Sequence, residues 1–336
     1  MKEVHPGIYL IKETGSFKSV KPTVNVYVLA GDDGLIFDAG YGDKITRNFI
    51  IDEIEKIRKQ YNATNKEFNL TRVLPSHAHP DHVSGLDILR KHLGVKIILT
   101  KKTAKTMQSK KNYLKSFKPT LSDYYLRDDK AWSRIKHAIN YYMWWRRYKK
   151  AYGLKFISDP DEIIDDDSEI SINHQIWKII SSPGHSSDHV SLYNEHEGIL
   201  FSGDNIIKNV TTYLGPNDSN LEDYVDTIKN IQNLPNLKLI LPAHGMVIKK
   251  PKKRIQEILN HRRERFADVV NLIKKNNKNG ITPSEIIKEI YPNSGKTMDQ
   301  VARGWICLTL NKLETQGGVI PKKGKNEIRF FPTNKL

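Results

Sequence analysis

The sequence predicts an α/β (α+β) fold with a smaller helical unit at its C-terminal end, and two observations support this prediction. Short apolar runs of strand length alternate with helix-like apolar spacing over most of the chain. From about Lys252 the pattern changes to long amphipathic helix. We therefore expect a sheet-based domain over residues 1–254 and a second unit over 255–336.

The N-terminal part of the chain begins with predicted strands. Residues 4–11 and 24–38 contain apolar runs, and Asp32-Asp33-Gly34 is typical of a hairpin turn. A helix is predicted from Phe49 to Gln60, where isoleucines recur at helical spacing. A βαβ unit follows, with a helix near 82–92 between strands that contain Val73-Leu74 and Ile97-Ile98-Leu99.

The segment 101–155 interrupts this pattern and is predicted to be a helical insertion. It carries 16 basic and 3 acidic residues, a net charge of +13. It is also rich in aromatic residues, namely Tyr113, Tyr124, Tyr125, Trp132, Tyr141, Tyr142, Trp144, Trp145 and Tyr148.

Short strands resume after Pro160, and helices dominate the C-terminal end. The clearest strands lie at 177–180, 198–201 and 237–241, with a helix at about 220–232 between the last two. After the long helix, Thr282-Pro283-Ser284-Glu285 has the pattern of a capping box. A further helix at about 297–315 and a hairpin-like tail complete the order helix, helix, helix, hairpin, which predicts a winged helix.

The net charge of +16 is unevenly distributed. Residues 1–100 carry 14 basic and 12 acidic residues (+2), and 156–248 carry 4 and 15 (−11). The excess lies in segment 101–155 and in residues 249–336, which carry 20 basic and 8 acidic residues (+12). Such basic blocks indicate an anionic partner.

Cysteine content and hydropathy limit the possible chemistry. Cys307 is the only cysteine, so a metal ion would be held by nitrogen and oxygen ligands, and Cys307 itself is expected to fill a small space in the core. No run approaches the roughly 18 apolar residues of a membrane span, and the N-terminus lacks an apolar stretch after a basic start. We expect a cytoplasmic location.

Four predicted strands are each followed by residues that can bind metal. The seven candidate ligands are His77, His79, Asp81, His82, His185, Asp204 and His244. Ligands at strand ends converge on one edge of a sheet-based fold. A lone His-X-His is more often a surface feature, but His-X-His-X-Asp-His with three further strand-end ligands predicts a catalytic site for two ions. Imidazole and carboxylate suit zinc, with iron or manganese as alternatives.

This constellation, in this order, resembles the metallo-β-lactamase superfamily over about residues 4–250, apart from segment 101–155. The resemblance implies a four-layer αββα sandwich with metals at one edge. It also implies that Asp204 bridges two divalent ions, the first held by His77, His79 and His185 and the second by Asp81, His82 and His244.

The resemblance also suggests roles for residues around these ligands. Asp38 matches an aspartate that supports the site from beneath, although it could simply begin an Asp-Ala-Gly turn. His79 stands where iron flavoproteins of the superfamily carry glutamate. His189 is either a substrate or proton-transfer residue or a hydrogen-bonded structural histidine, and Tyr213 is a candidate for the pocket border. Asp81, Asp204 and His189 are the candidate catalytic residues of a hydrolase.

The C-terminal stretch that begins His261-Arg262-Arg263-Glu264-Arg265 resembles the winged-helix appendage of the metallo-β-lactamase-like protein 2 branch, as does Thr211-Thr212-Tyr213-Leu214-Gly215-Pro216. That branch includes an endoribonuclease that acts on single-stranded RNA, and it lies near thioesterases of the glyoxalase-II type. RNA hydrolysis is therefore the leading hypothesis, because basic blocks and aromatic side chains suit a nucleic acid.

Three alternatives remain open. Lysine-rich helices are often only solvated faces, and Trp132, Trp144 and Trp145 could pack the insertion onto the core. A thioester or other ester hydrolase of the glyoxalase-II or acyl-CoA thioesterase type would use the insertion as an apolar lid and its basic residues for an anionic carrier. A catalytically silent binding protein is the third, but every expected ligand is present. A homo-oligomer is compatible with the sequence.

Overall fold

The computed structural model describes residues 1–13, 21–116, 147, 149–215, 218–292, 295–324 and 327–336. Two β-sheets and their flanking helices form most of this part of the chain. Among its helices, none is long and apolar enough to cross a membrane.

The first sheet has seven strands in the order of the chain. They are β1 (Lys2–His5), β2 (Ile8–Lys12), β3 (Asn25–Leu29), β4 (Gly34–Phe37), β5 (Leu70–Leu74), β6 (Lys96–Thr100) and β7 (Glu162–Ile164). Neighbours from β1 to β4 are antiparallel, which confirms the predicted hairpins, and neighbours from β4 to β7 are parallel. The parallel pair of β5 and β6 confirms the βαβ unit.

Helices connect the strands of this sheet. They are α1 (Lys44–Asn62), α2 (Pro80–Val83), α3 (Leu86–Leu93), α4 (Lys101–Met107) and α5 (Lys110–Ser116). Helix α1 begins where the side chain of Asp43 accepts hydrogen bonds from two backbone N–H groups of the first turn. Helices α4 and α5 confirm helical structure at the start of the predicted insertion. Its aromatic residues from Tyr124 to Trp145, and Tyr148, lie outside the described residues.

The second sheet has five strands in the order β12-β11-β10-β9-β8. They are β8 (Ser168–Ile172), β9 (Gln175–Ser181), β10 (Val190–Asn194), β11 (Ile199–Gly203) and β12 (Leu239–Pro242), and helix α6 (Leu221–Gln232) precedes the last. Strands β8 to β11 pair antiparallel, whereas β11 and β12 are parallel. The three strands named from the sequence are therefore confirmed.

The two sheets pack face to face and are covered by helices, so the fold is the expected four-layer αββα sandwich. Side chains along β3 point alternately to the two faces of the first sheet. Tyr27 belongs to the apolar cluster between the sheets, whereas Val26 belongs to the cluster under the helices of the first sheet. The inner cluster centres on Phe201, whose ring lies 5.1 Å from that of Tyr27 and 5.2 Å from that of Phe37.

The C-terminal region contains three helices and a hairpin, in the predicted order. They are α7 (Pro251–Lys275), α8 (Pro283–Ile290), α9 (Lys296–Thr315), β13 (Val319–Lys323) and β14 (Ile328–Pro332). The capping box is present, since Thr282 Oγ1 accepts the N–H of Glu285 at 3.1 Å and Glu285 Oε2 accepts the N–H of Thr282 at 2.8 Å. Cys307 is buried, as expected for a core residue.

These C-terminal helices share a core with the second sheet. Ile255 and Ile258 of α7 belong to the same apolar cluster as Ile240 of β12 and Ile228 of α6. Helix α7 also runs across the boundary proposed between residues 254 and 255. The division into two domains and the winged-helix nature of the second unit remain predictions.

Replacing Phe201 by Ala tests the central role of the core between the sheets. Phe201 is fully buried against three aromatic rings, so its truncation should leave a cavity and lower the free energy of unfolding by about 3–5 kcal/mol. Ile176→Ala is the control, because Ile176 is 57% exposed and its loss should change stability by no more than about 0.5 kcal/mol. Urea denaturation measures both, and equal effects would contradict this account of the core.

Candidate metal centre

The candidate site lies at the edge where strands of both sheets end. His77 follows β5 of the first sheet, and His79 directly precedes α2, which contains Asp81 and His82. His185, Asp204 and His244 follow β9, β11 and β12 of the second sheet. Because these strands run in the same direction, their C-terminal ends place all seven predicted side chains at one edge of the sandwich.

The seven side chains form two adjacent groups. In each group, the potential ligand atoms lie within 4.8 Å of one another. The first group contains His77, His79, His185 and Asp204, and the second contains Asp81, His82 and His244. These groups agree with the division into two ion sites that the resemblance implied.

Asp204 joins the two groups through its carboxylate. Its Oδ2 lies 3.3 Å from His185 Nε2 in the first group. Its Oδ1 lies 3.3 Å from His244 Nε2 and 3.5 Å from His82 Nε2 in the second group. The side chain is therefore placed to contact two neighbouring cations with one oxygen each.

Buried carboxylates hold the loop that carries the histidine motif. Asp38, which directly follows β4, accepts the N–H of Ser76 at 2.7 Å, and its Oδ2 lies 3.0 Å from His82 Nδ1. These contacts support its role beneath the site over the simpler turn. Asp38 has a φ of 63°, a conformation that non-glycine residues rarely adopt, so the local backbone is strained to place this carboxylate.

Asp188 supports the same loop from the second sheet. Its Oδ2 accepts the N–H of Ala78 at 2.9 Å and the hydroxyl of Thr103 at 2.8 Å. Sequence reasoning did not single out Asp188. The available signal was its position directly before His189 in a loop that already carried one candidate ligand.

Hydrogen bonds to backbone carbonyls orient two of the histidines. His185 Nδ1 donates to the carbonyl of Tyr213 at 2.8 Å, and His244 Nδ1 donates to the carbonyl of Thr23 at 2.6 Å. Each bond holds a proton on Nδ1 and turns Nε2 toward Asp204, at 3.3 Å from its carboxylate. Both imidazoles are therefore prepared to bind a cation through Nε2.

His189 is buried behind Asp204 and has partners on both ring nitrogens. Its Nε2 accepts the backbone N–H of Asp204 at 3.1 Å, and its Nδ1 lies 2.8 Å from Ser182 Oγ. These contacts favour the structural alternative, in which His189 positions Asp204. Its catalytic role remains a prediction.

The charges of the site favour bound cations. Burial lowers the pKa of His77 well below its usual value, and burial with the neighbouring His185 lowers the pKa of His79 to about 4, so these imidazoles are neutral. Burial alone would raise the pKa of Asp81, but His82 and His244 lower it to about 2. Neutral His77 and His79 beside ionised carboxylates are already in the protonation states that metal binding requires. Burial alone would lower the pKa of His82 and His244, but the neighbouring carboxylates raise it well above its usual value, so a bound cation would displace a proton from each.

Unsatisfied buried atoms also fit a metal centre. His77 Nε2 and His82 Nε2 are buried and have no hydrogen-bond partner among the residues that the structure describes. Leaving buried polar atoms unpaired is costly, so their presence at a convergence of ligand atoms indicates another bonding partner. A donor set of imidazole and carboxylate fits divalent ions such as zinc.

The C-terminal helices hold the loop that follows Asp204. The buried guanidinium of Arg262 donates to the carbonyl of Thr212 at 2.5 Å, and the hydroxyl of Thr212 donates in turn to the carbonyl of Asp204. Arg254 donates to the carbonyls of Ile207 and Val210, each at 2.7 Å. In the sequence, Arg262 stands out only as part of the stretch that resembles the winged-helix appendage. Its contact with Thr212 could not be predicted there, because the two residues lie 50 positions apart in the chain.

Comparison with known proteins identifies the family. The model described as "Metallo-beta-lactamase superfamily" matches residues 21–244. A beta-lactamase-like protein 2 homolog of Caenorhabditis elegans is 32% identical over 177 residues, which are 51% of this chain and 58% of that protein. An atrochrysone carboxyl ACP thioesterase of Aspergillus fumigatus is 29% identical over 117 residues, which are 34% and 36% of the two chains.

A solved structure extends the likeness to nearly the whole chain. A beta-lactamase domain protein from Burkholderia ambifaria has a TM-score of 0.75 at 19% identity, and the match covers 99% of this chain and 93% of that one. At this identity the likeness concerns the fold alone. The curated relative from Caenorhabditis elegans is matched over little more than half of its own length.

The number of ions is open to direct measurement. We expect about two metal ions per chain after reconstitution with zinc, and Asp204→Ala should lower this number while circular dichroism remains unchanged, because Asp204 contacts both ligand groups at the sheet edge. Elemental analysis by mass spectrometry counts the ions. No more than trace metal in the unaltered protein would show that the seven residues do not form a metal centre.

Arg262→Met tests the contact between the C-terminal helices and the site. The loss of a charge-assisted hydrogen bond to a buried carbonyl should destabilise the fold by roughly 1–3 kcal/mol. Metal affinity should fall by roughly 10- to 100-fold, as is typical for residues that support ligands. Arg263→Met is the matched control, since Arg263 is exposed and donates to Asn260 on its own helix. Unchanged metal affinity in Arg262→Met would contradict the proposed support.

Proposed function

The chain belongs to the metallo-β-lactamase superfamily, a family of hydrolases, and we propose that it hydrolyses phosphodiester bonds of single-stranded RNA at a centre of two metal ions. The observation that carries the proposal is the bridging position of the Asp204 carboxylate between the two ligand groups. It provides two neighbouring cation sites at the open edge of the sandwich.

Each part of the site has a distinct role in this proposal. His77, His79 and His185 would hold one ion, whereas Asp81, His82 and His244 would hold the other, and zinc is the expected metal. Two such ions would lower the pKa of a water molecule to near neutral pH. They would also stabilise the negative charge that develops on the phosphate.

The protein side chains orient the reaction. Asp81 and Asp204 retain 13% and 11% side-chain exposure at this edge, although Oδ1 of Asp204 is itself buried. In our proposal the carboxylate of Asp81 accepts a proton from the water that attacks phosphorus. The bond from phosphorus to the leaving oxygen breaks, and that oxygen takes up the proton, while Asp204 holds the two ligand groups together. His189 is only 1% exposed and acts behind them, by fixing the backbone of Asp204.

The basic insertion joins the fold beside this site, which supports an anionic substrate. At its start, Thr103 bonds to Asp188 beneath the histidine motif. At its end, the ring of Tyr152 lies 5.0 Å from that of Tyr41, and Gly153 packs closely on the backbone of Gly42. Burial raises the pKa of Tyr152, and the charge of Asp81 raises it further, which indicates that the two side chains are near each other.

The charge of the same segment favours RNA over an uncharged ester. The segment carries 16 basic and 3 acidic residues, whereas residues 156–248, which contain three of the candidate ligands, have a net charge of −11. Among the described residues, Arg147 and Lys150 are exposed and Lys149 is partly exposed. Basic side chains beside a cleavage site attract a phosphate backbone and follow it, as single-strand binding proteins do.

A thioester substrate is the second candidate, because one relative is named as an acyl carrier protein thioesterase. The same cationic surface would then bind an acidic or phosphate-bearing carrier. Hydrolysis of a thioester needs the same centre, since a carbonyl oxygen also develops negative charge. The two candidates therefore differ in substrate and not in the site.

A substrate panel separates these candidates. Zinc-loaded protein should cleave a single-stranded oligoribonucleotide faster than the matching deoxyribonucleotide, acyl thioesters or lactones. His79→Ala should lower the rate by at least about 100-fold, because loss of a ligand disturbs the centre more than loss of a supporting contact. His174→Ala is the control, since His174 is exposed and pairs with Asp32 rather than with any candidate ligand. Thioester hydrolysis without RNA cleavage would replace the first candidate by the second.

A further inference from the structure

A helix of the C-terminal unit packs against the loop that orients one candidate metal ligand. Helix α9 packs against the loop that contains Tyr213, and the approach is so close that a Cβ atom added to Gly304 would lie 2.4 Å from Gly215 Cα. The ring of Tyr213 folds back over Gly215 in the same way. Arg303, the neighbour of Gly304, is thereby placed near this loop. Burial raises the pKa of the Tyr213 phenol, and the positive charge of Arg303 opposes that rise.

This contact is directly connected to a candidate ligand. The carbonyl of Tyr213 accepts the Nδ1–H of His185 at 2.8 Å, so Tyr213 is one hydrogen bond from the metal centre. Its side chain is 44% exposed although the residues on either side of it are buried. An exposed phenol directly beside a buried centre is available to a substrate that occupies that centre.

Arg303 has features of an anion-binding residue. Its side chain is partly buried, and its Nε atom is buried without a hydrogen-bond partner among the residues that the structure describes. The helix positions around it are otherwise used for packing, since Ala302, Trp305 and Ile306 are buried in the core. A guanidinium that is fixed on a packed helix loses little entropy when it binds an oxyanion.

We propose that Arg303 and the hydroxyl of Tyr213 bind a phosphate group of the substrate other than the group that reacts at the metal centre. This inference rests on the proposed function and names the residues that would recognise the substrate outside the metal ligands. Guanidinium groups match phosphate oxygens in geometry and charge, and the tyrosine hydroxyl adds one further donor. The phosphate belongs either to the next nucleotide of an RNA strand or to the nucleotide part of a coenzyme A thioester.

With Arg303 bound to the substrate, the C-terminal unit is a part of the active site. Arg262 and Gly304 hold the loop with Thr212 and Tyr213 from the same side, and Arg303 adds a recognition group there. A substrate at the metal centre would thus contact both the sheet edge and helix α9.

Binding to metal-free full-length protein tests the inference without catalysis. A fluorescent single-stranded oligoribonucleotide is titrated at several salt concentrations and followed by anisotropy. Arg303→Gln should weaken binding and flatten the log–log salt dependence by about 0.7, the contribution of one phosphate contact on a single strand. Arg263→Gln, on the exposed face of α7, should leave the slope unchanged.

Kinetics with the zinc-loaded protein identify the source of the phosphate. If it belongs to RNA, Arg303→Gln should raise KM for the oligoribonucleotide severalfold, with kcat and metal content changed less than about twofold. If it belongs to coenzyme A, Arg303→Gln should raise KM for a coenzyme A thioester but not for the pantetheine thioester of the same acyl group. The second result would refute RNA as the substrate while it supports the phosphate site.

Other outcomes overturn the inference. The inference is wrong if Arg303→Gln has the same salt slope and KM values as the unaltered protein, or if Arg263→Gln has the same effect as Arg303→Gln. It is also wrong if the unaltered protein binds neither the RNA nor the coenzyme A thioester. Arg303→Lys should recover part of the lost affinity, because it keeps the charge but not the planar guanidinium. Loss of metal in Arg303→Gln would also count against it, since the role would then be structural.

Discussion

The placement of the Asp204 carboxylate between histidines of both groups is the constraint on which the rest of the site depends. Its two oxygens lie 3.3–3.5 Å from His82, His185 and His244. The first sheet carries one of these histidines and the second sheet carries the other two, so the contact exists only when both sheets pack face to face. The apolar core around Phe201 is therefore a condition of the chemistry as well as of stability.

Such a concentration of buried polar groups requires support, and several layers of contacts provide it. Asp38 and Asp188 fix the backbone of the histidine motif through hydrogen bonds to Ser76 and Ala78. Backbone carbonyls orient the outer nitrogens of His185 and His244. The C-terminal helices add a further layer, since Arg262 holds the loop that connects the sheet edge to Tyr213. A centre that is held this firmly keeps its ligands near the geometry that bound cations need.

Charge is divided between the catalytic edge and its surroundings. Residues 156–248, which carry three of the ligands, have a net charge of −11, whereas the insertion and the C-terminal region together carry +25. The acidic groups favour cations at the centre, and the basic surroundings favour an anionic substrate that arrives there. This division, rather than the fold, is what favours a phosphate-bearing substrate, because one fold can carry many reactions.

The sequence by itself determined the strands, the helices and the order of the metal motifs, because apolar periodicity, the capping box at Thr282 and His-X-His-X-Asp-His are local patterns. It also indicated the seven ligands, which the structure brings together. Only the tertiary structure decided which distant side chains support them: Asp188 reaches Ala78 across 110 residues, and Arg262 reaches Thr212 across 50. The physical reason is that local spacing sets secondary structure, whereas the contacts of a polar side chain depend on how separate elements pack.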